Sequence, residues 1–103
     1  MTIKILNDDN FDEFISEGKA VVDFYADWCG PCKIMAPHFE SASRKIKGVK
    51  FAKVDVDSNS ELAGRFQIRS IPTTIFFKNG ELVSKQSGAM SEKDIAEIVE
   101  SDF

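Results

Sequence analysis

Short apolar runs and helical repeats of apolar residues alternate along this chain and predict nine elements of secondary structure. Strands are predicted where apolar, β-branched and aromatic residues cluster, and helices where apolar residues recur every three or four positions. Residues 20–26 are almost continuously apolar, which is typical of a strand buried on both faces of a sheet. In chain order we predict a strand at Thr2–Leu6, a helix from Asn10 to Gly18, a strand at Ala20–Ala26, a helix at Pro31–Lys47, a strand at Val49–Asp55, a helix from Ser58 to about Phe66, strands at Thr73–Lys78 and Glu81–Ser87, and a helix after Ser91.

Capping and turn residues indicate where these elements begin and end. Three pairs have a polar residue followed three positions later by an acidic one, the pattern of a helix N-terminal cap: Asn10 with Glu13, Ser58 with Glu61, and Ser91 with Asp94. Gly48 is predicted to cap the end of the second helix, and Pro37 to kink that helix without ending it. Asn79-Gly80 predicts a tight hairpin between the last two strands.

The order of the elements, β-α-β-α-β-α-β-β-α, predicts an α/β fold. Helices between the early strands imply right-handed parallel crossovers, and the final hairpin adds antiparallel strands. We therefore expect one mixed β-sheet of about five strands flanked by four helices on both faces. The length of 103 residues suits one domain, residues 1–103.

Composition narrows the classes of partner. The net charge of −4 argues against nucleic acid, because phosphate binding needs a basic face. No apolar run is long enough to span a membrane, and no export signal precedes the first strand, so we expect a cytoplasmic protein. In a reducing compartment a C-x-x-C pair is more often catalytic or metal-binding than a structural disulfide.

The two cysteines, Cys29 and Cys32, stand between a predicted strand and a predicted helix. Two sulfurs at this spacing can close a small disulfide ring, hold a metal, or pack as small buried apolar groups. Backbone N–H groups and the dipole at a helix start favour negative charge, so Cys29 can exist as a thiolate near neutral pH. A structural zinc site needs four ligands, whereas the chain offers two cysteines and the single His38, which we expect at the surface. We therefore predict no metal site.

The segment from Val22 to Lys33, VDFYADWCGPCK, resembles the active-site segment of thioredoxins. Further matches follow in the same order and cover essentially the whole chain: Pro37, Lys53-Val54-Asp55, Arg69-Ser70-Ile71-Pro72-Thr73, Phe77-Lys78-Asn79-Gly80 and Gly88. The resemblance implies the thioredoxin fold and a protein dithiol–disulfide oxidoreductase that reduces disulfides in protein substrates. It also implies recycling by a separate thioredoxin reductase, and the chain has no G-x-G-x-x-G motif for a nicotinamide cofactor of its own. No cofactor is expected beyond the disulfide of the two cysteines.

The resemblance assigns roles within the dithiol segment. Cys29 is expected to be the nucleophile that forms a mixed disulfide with substrate, in a flat and accessible setting between Trp28 and Gly30. Cys32 is expected to resolve that mixed disulfide. Gly30 and Pro31 tune the redox potential towards a reductant, because a His in place of this Pro marks oxidases and isomerases of the family.

Asp23 is the one ionisable residue within the apolar strand. If it is buried, loss of solvation raises the pKa of its carboxyl; the alternative is a solvated Asp at a sheet edge. The resemblance implies that Asp23 accepts the proton of Cys32 and that Lys53 on the next strand is its partner. From sequence alone, Lys53 can equally be a strand lysine with its ammonium in solvent.

Ile71-Pro72 breaks the chain before a strand. Most X–Pro bonds are trans, but the resemblance implies a cis bond that places Pro72 against the dithiol and leaves the Ile71 backbone free to pair with a substrate. The resemblance also implies an apolar docking patch, made of Trp28, Gly30, Pro31, Ile71, Pro72, Gly88 and Ala89. Gly88 can equally be a simple break between strand and helix.

Two residues depart from the common pattern of the family. Tyr25 stands where many members have a second Trp, and Ser70 stands where many have Gly, which leaves partner preference open. Two other functions compete with a reductase: a binding subunit in which the cysteines are incidental, and an oxidase or isomerase. We expect a monomer whose partners are a reductase and disulfide-containing proteins.

Overall fold

Nine elements make up the part of the chain that the structure describes, residues 3–103, in the order that the sequence predicts. The structure is a computed structural model. In chain order the elements are β1 (Ile3–Leu6), α1 (Phe11–Ile15), β2 (Lys19–Tyr25), α2 (Gly30–Lys45), β3 (Val49–Asp55), α3 (Ser60–Arg65), β4 (Thr73–Lys78), β5 (Glu81–Ser87) and α4 (Glu92–Asp102). Thr2, the predicted start of the first strand, lies outside the described residues.

The strands form one mixed sheet in the order β1-β3-β2-β4-β5. β2 runs parallel to β3 and antiparallel to β4, while β1 joins β3 in parallel and β5 joins β4 as a hairpin. The five central residues of β2, from Ala20 to Phe24, are all buried. The continuous apolar run therefore belongs to the central strand, as its pattern predicts.

Each face of the sheet packs against two helices. On one face, apolar residues of α1 and α3 such as Phe11 and Leu62 pack on the β2 residues Val22 and Phe24. On the other, α2 and α4 pack on the strand residues Val21, Phe51 and Phe76, using Met35, Phe39, Ala42 and Ile95. Because side chains alternate along a strand, Asp23 shares the face of Val21 and lies beneath α2.

Asn10 is the N-cap residue of the first helix as predicted, but its side chain does not cap the helix, and the predicted cap of the third helix at Ser58 is wrong. The side-chain oxygen of Asn10 accepts the N–H of Asn7 and makes no cap bond to its own helix, which ends at Ile15 rather than Gly18. The third helix begins after Asn59, not Ser58, and the Asn59 side chain bonds to the backbone of two other segments. In both places hydrogen bonds of the surrounding loops take the polar side chain away from the helix.

The second and fourth helices follow their predictions more closely. α2 continues through Pro37 to Lys45 and ends at Ile46, so Gly48 does not cap the helix but lies in the following turn at φ +77°. Ser91 and Asp94 form the predicted capping box at the start of α4. The Nδ1 atom of His38, which is exposed, accepts the N–H of Glu92, so it contributes to the contact between α2 and α4.

The hairpin between β4 and β5 is confirmed. Asn79 and Gly80 both adopt positive φ, +51° and +86°, as a two-residue hairpin turn of this type requires. The Asn79 side chain also accepts the N–H of Gly18, which ties this turn to the end of the first helical segment. None of the helices among residues 3–103 is long and apolar enough to cross a bilayer.

Candidate active site

The two cysteines lie at the start of α2, shortly after the end of the central strand β2. Cys29 is the N-cap residue, in an extended conformation, and Cys32 lies in the first turn. The Sγ atom of Cys29 accepts the backbone N–H of Cys32 at 3.2 Å. A disulfide joins the two residues, whose Cα atoms are 5.3 Å apart. The sulfur of Cys29 thus faces the free N–H groups of the helix, which favour negative charge there.

The exposure of Cys29 is lower than the sequence analysis expects. Only 3% of Cys29 and 4% of Cys32 is exposed, so the prediction of an open setting for Cys29 is wrong. Ala26, Tyr25 and Ile71 pack around the disulfide. Cys29 therefore presents very little surface to solvent.

The segment before β4 lies against Cys29. The Ile71–Pro72 bond is cis, as the resemblance implies, and the Ile71 carbonyl oxygen lies 3.7 Å from Cys29 Sγ. Gly88, at φ +96°, donates its N–H to the Pro72 carbonyl at 2.8 Å. The N–H of Ile71 has no backbone partner among residues 3–103.

The residues expected to form the docking patch surround the disulfide at different depths. Five of the seven are exposed: Trp28, Gly30, Pro31, Gly88 and Ala89. Ile71 is half-buried and Pro72 is buried, so these two contribute less side-chain surface to the patch. Beside Trp28 and Ile71 runs a groove of about 270 Å³ towards α3, whose other lining residues are Val56, Ser60, Ala63, Ile68, Arg69 and Ser70.

Two neighbours of this patch are missing from the sequence analysis. Asp57 accepts the indole N–H of Trp28 at 2.8 Å, a contact between residues 29 apart that no local pattern signals. Ile34 is 70% exposed on α2, one turn after Pro31. The helical repeat does signal this second residue, because Met35, Phe39 and Ala42 define the buried stripe and Ile34 falls outside it.

Asp23 is fully buried, and the alternative of a solvated edge position is wrong. Neither of its carboxylate oxygens has a hydrogen-bond partner among the described residues. Burial raises the pKa of Asp23 from its ordinary 3.8 to about 6, and the positive charge of Lys53 opposes part of that rise. A carboxyl with a pKa near neutrality can take up and release a proton under physiological conditions.

Lys53 lies opposite Asp23 in the pairing of β2 with β3, but at a distance. No salt bridge of 4.0 Å or less joins these two side chains in the described part of the chain. The Lys53 ammonium sits 4.6 Å from the ring centre of Tyr25 and, together with Cys32, lines a cleft of about 140 Å³. Lys53 is therefore half-buried and acts on Asp23 through its field.

Among residues 3–103 there is no group of three or more His, Cys, Asp or Glu side chains arranged to hold a metal ion.

Comparison with known proteins identifies a single family. The family model described as Thioredoxin matches residues 2–101. The thioredoxin of Mycoplasmoides gallisepticum is 44% identical over 96 residues, which cover 92% of this chain and 96% of the relative. That of Staphylococcus saprophyticus is 44% identical over 101 residues, 97% of each chain. The crystal structure of the Malassezia sympodialis thioredoxin superposes with a TM-score of 0.88 at 36% identity and covers 100% of this chain and 96% of that one.

Proposed function

This chain belongs to the thioredoxin family of protein dithiol–disulfide oxidoreductases, and we propose that it reduces protein disulfides with Cys29 as nucleophile and Cys32 as resolving residue. The observation that carries the assignment is the position of the Cys29 sulfur as the N-cap of α2, where it accepts the N–H of Cys32. A charge-assisted bond of this kind stabilises a thiolate. Cys32 lies inside the helix and lacks this position.

In the first step the Cys29 thiolate attacks one sulfur of a substrate disulfide. A bond forms between Cys29 and that sulfur, the substrate disulfide breaks, and the other substrate sulfur leaves as a thiolate. The low exposure of Cys29 limits the approach to a disulfide presented beside Ile71 and Pro31. The N–H of Ile71, which has no backbone partner among residues 3–103, supports docking of the substrate as an extended strand, which explains recognition of many sequences by their backbone.

In the second step the thiol of Cys32 loses its proton and attacks Cys29. The new Cys29–Cys32 bond releases the second substrate thiolate, so the substrate has gained two electrons and the protein has lost two. We assign the proton of Cys32 to Asp23, whose pKa of about 6 suits an acceptor. We propose that the proton passes through one water molecule, which can reach Cys32 from the cleft that Cys32 and Lys53 line.

A separate reductase returns the disulfide to the dithiol, and disulfide-containing proteins are the substrates. We propose that the protein works as a monomeric electron carrier in the cytoplasm, because a strong dithiol reductant needs a reducing compartment. The redox-active disulfide is the only redox group that this cycle needs. The whole chain, residues 1–103, would act as one domain, and neither nucleic acid nor membrane is a partner.

The test is reduction of insulin disulfides with dithiothreitol as electron source. The wild-type protein accelerates the reaction, and Cys29→Ser abolishes the acceleration. Cys32→Ser retains attack but lacks resolution, so it accumulates a mixed disulfide with the substrate that mass spectrometry detects; Cys29→Ser does not. If the wild-type protein fails to accelerate the reaction, the proposal is wrong, and full biological activity of the double Cys→Ser variant would favour a binding subunit.

A further inference from the structure

Three buried side-chain oxygen atoms within residues 3–103 have no hydrogen-bond partner in the protein. They are the two carboxylate oxygens of Asp23 and the hydroxyl oxygen of Thr74. Both residues are 0% exposed. Buried polar groups are nearly always hydrogen-bonded, so each exception calls for a physical reason. Here the three unpartnered oxygen atoms lie at the same place in the sheet.

Thr74 lies directly opposite Asp23 in the antiparallel pairing of β2 with β4. Residues opposite each other in such a pair point to the same face, with Cβ atoms about 4.5–5.5 Å apart. From that position a hydroxyl reaches a neighbouring carboxylate by rotation about χ1 or through one bridging water. The two unpartnered groups are thus within reach of each other.

The other side chains around Asp23 have contacts elsewhere and do not take the position of Thr74. Opposite Asp23 on β3, Lys53 remains beyond ion-pair distance and lies over the Tyr25 ring. On β5, Gln86 stands opposite Thr74, and its amide already donates to Ser84 at 2.9 Å. Further titratable groups border the cleft on the α2 side: Cys32, Lys33 and Asp27.

We propose that the Thr74 hydroxyl hydrogen-bonds to the Asp23 carboxyl, directly or through one water, and is a positioning residue for the resolution of the mixed disulfide. A hydroxyl donates to the carboxylate and accepts from the carboxylic acid, so Thr74 serves Asp23 in both protonation states. The bond holds the carboxyl on the face beneath α2, towards Cys32. It also favours the ionised form and so lowers the pKa of Asp23 below the value that burial alone would give. The inference rests on the proposed role of Asp23 as proton acceptor.

Thr74→Val tests the bond, because it keeps the shape of the side chain and removes the hydroxyl. The titration of Asp23 in the oxidised protein is followed by the NMR shift of its carboxyl carbon. We expect Thr74→Val to make Asp23 an about tenfold weaker acid, and Thr74→Ser to keep the wild-type titration. Thr73→Val is the matched control: it alters the neighbouring buried Thr, whose hydroxyl donates to the Ser70 carbonyl at 2.6 Å. The control should leave the titration of Asp23 unchanged.

A second measurement separates the hydrogen bond from a merely structural role. At about pH 8, where Asp23 is ionised, we expect Thr74→Val to lower the urea midpoint of unfolding. In an Asp23→Ala background the same change removes an unpartnered hydroxyl and should raise the midpoint. If Thr74→Val does not fold, Thr74→Ala serves in both measurements.

Neither measurement depends on catalysis, so each can succeed even if Asp23 is not the proton acceptor. The kinetic consequence is tested separately with a preformed mixed disulfide at Cys29. The rate of its resolution as a function of pH should have its midpoint shifted upward in Thr74→Val, in step with the titration of Asp23. The inference is overturned if Asp23 titrates alike in Thr74→Val and wild type, or if Thr74→Val shifts the midpoint of unfolding equally in both backgrounds.

Discussion

The ionised carboxyl of Asp23 makes the folded protein less stable at neutral pH. This loss of stability accompanies the burial of the carboxyl in the site. Its pKa rises from 3.8 to about 6 because burial penalises the charged form, which the field of Lys53 only partly offsets. Between these two values the folded protein holds a proton that the unfolded chain has released. Stability therefore falls as pH rises through this range, and above it the full cost is about 2–3 kcal/mol.

The first prediction follows from that sign. Asp23→Asn, which cannot ionise, should raise the free energy of unfolding by about 2–3 kcal/mol at about pH 8 and have much less effect at about pH 3.5. Urea unfolding of the oxidised protein at both pH values measures this change in the free energy of unfolding. Asp9→Asn is the control, because Asp9 is exposed and its replacement should change little at either pH. An equal gain from Asp23→Asn at both pH values would show that ionisation is not its cause.

Trp28 is the single tryptophan, which makes its contact with Asp57 directly observable. Trp28 is 70% exposed, and its indole N–H donates to Asp57 at 2.8 Å. We expect Asp57→Ala to lower the fluorescence anisotropy of Trp28. Asp57→Asn keeps an oxygen that can accept the indole N–H and should restore most of it. Anisotropy that is unchanged in Asp57→Ala would mean that packing, not this bond, orients Trp28.

From its residues alone the sequence leaves Asp23 open between a buried and a solvated carboxyl, and it predicts the wrong setting for Cys29. The apolar run around Asp23 is local information that favours burial. Cys29 is covered by Ile71, which is 42 residues away, and this contact depends on how the loop before β4 closes. The sequence also cannot predict that Asp23 and Thr74 lie opposite each other, because this depends on the register between β2 and β4.

At the level of elements, the same capping pattern succeeds at one helix and fails at two. Ser91 has no competing partner in its loop and bonds to the N–H of Asp94, whose carboxylate returns the bond. That bond lowers the pKa of Asp94. The Asn10 side chain instead accepts the N–H of Asn7, in the turn that starts at Asn7. Tertiary and loop hydrogen bonds thus override a local signal of similar strength.

The contrast gives a prediction for two serines with the same sequence signal. Ser91→Ala should lower the free energy of unfolding by about 1 kcal/mol, because it leaves an N–H at the start of α4 without its partner. Ser58→Ala should change it by less than about 0.5 kcal/mol, since Ser58 is exposed and lies outside the helix. Urea unfolding of both variants measures this difference. Equal losses would restore the original prediction of a cap at Ser58.

Strand boundaries are more predictable here than helix boundaries. β3, β4 and β5 begin and end where the apolar pattern predicts. Gly or Pro, which interrupt strands, lies next to four of their six ends: Gly48, Pro72, Gly80 and Gly88. The first three helices shift by one to three residues at their ends, whereas α4 begins directly after Ser91 as predicted.

At the scale of the whole molecule, the sheet brings the parts of the site to one place. The pairing of β2 with β3 and β4 sets Lys53 and Thr74 on either side of Asp23. The connection from β2 to α2 then places the cysteines just beyond the end of the central strand. The chemistry of the dithiol is therefore coupled to the stability of the entire fold.

That coupling makes a final prediction about reduction. The disulfide closes a ring of four residues, from Cys29 to Cys32. Chain entropy gives such a ring a stabilising effect of about 2 kcal/mol, since it restricts the unfolded chain. The reduced protein should therefore unfold at a lower urea concentration than the oxidised protein. By the thermodynamic cycle, the folded protein should have a reduction potential about 40 mV more negative than the same chain unfolded in urea, because about 30 mV corresponds to 1.4 kcal/mol for two electrons.

The double variant Cys29→Ser, Cys32→Ser is the control for this cycle, because reductant should leave its unfolding curve unchanged. The fold contributes to reducing power only if it stabilises the disulfide relative to the dithiol. The difference in urea midpoint between the oxidised and reduced protein must therefore change together with the difference in reduction potential between the folded and unfolded chain. Equal urea midpoints for the oxidised and reduced wild-type protein would refute the predicted stabilisation. The potential would then be a property of the segment Cys29-Gly30-Pro31-Cys32 alone, and the packing of α2 on the sheet would have no part in it.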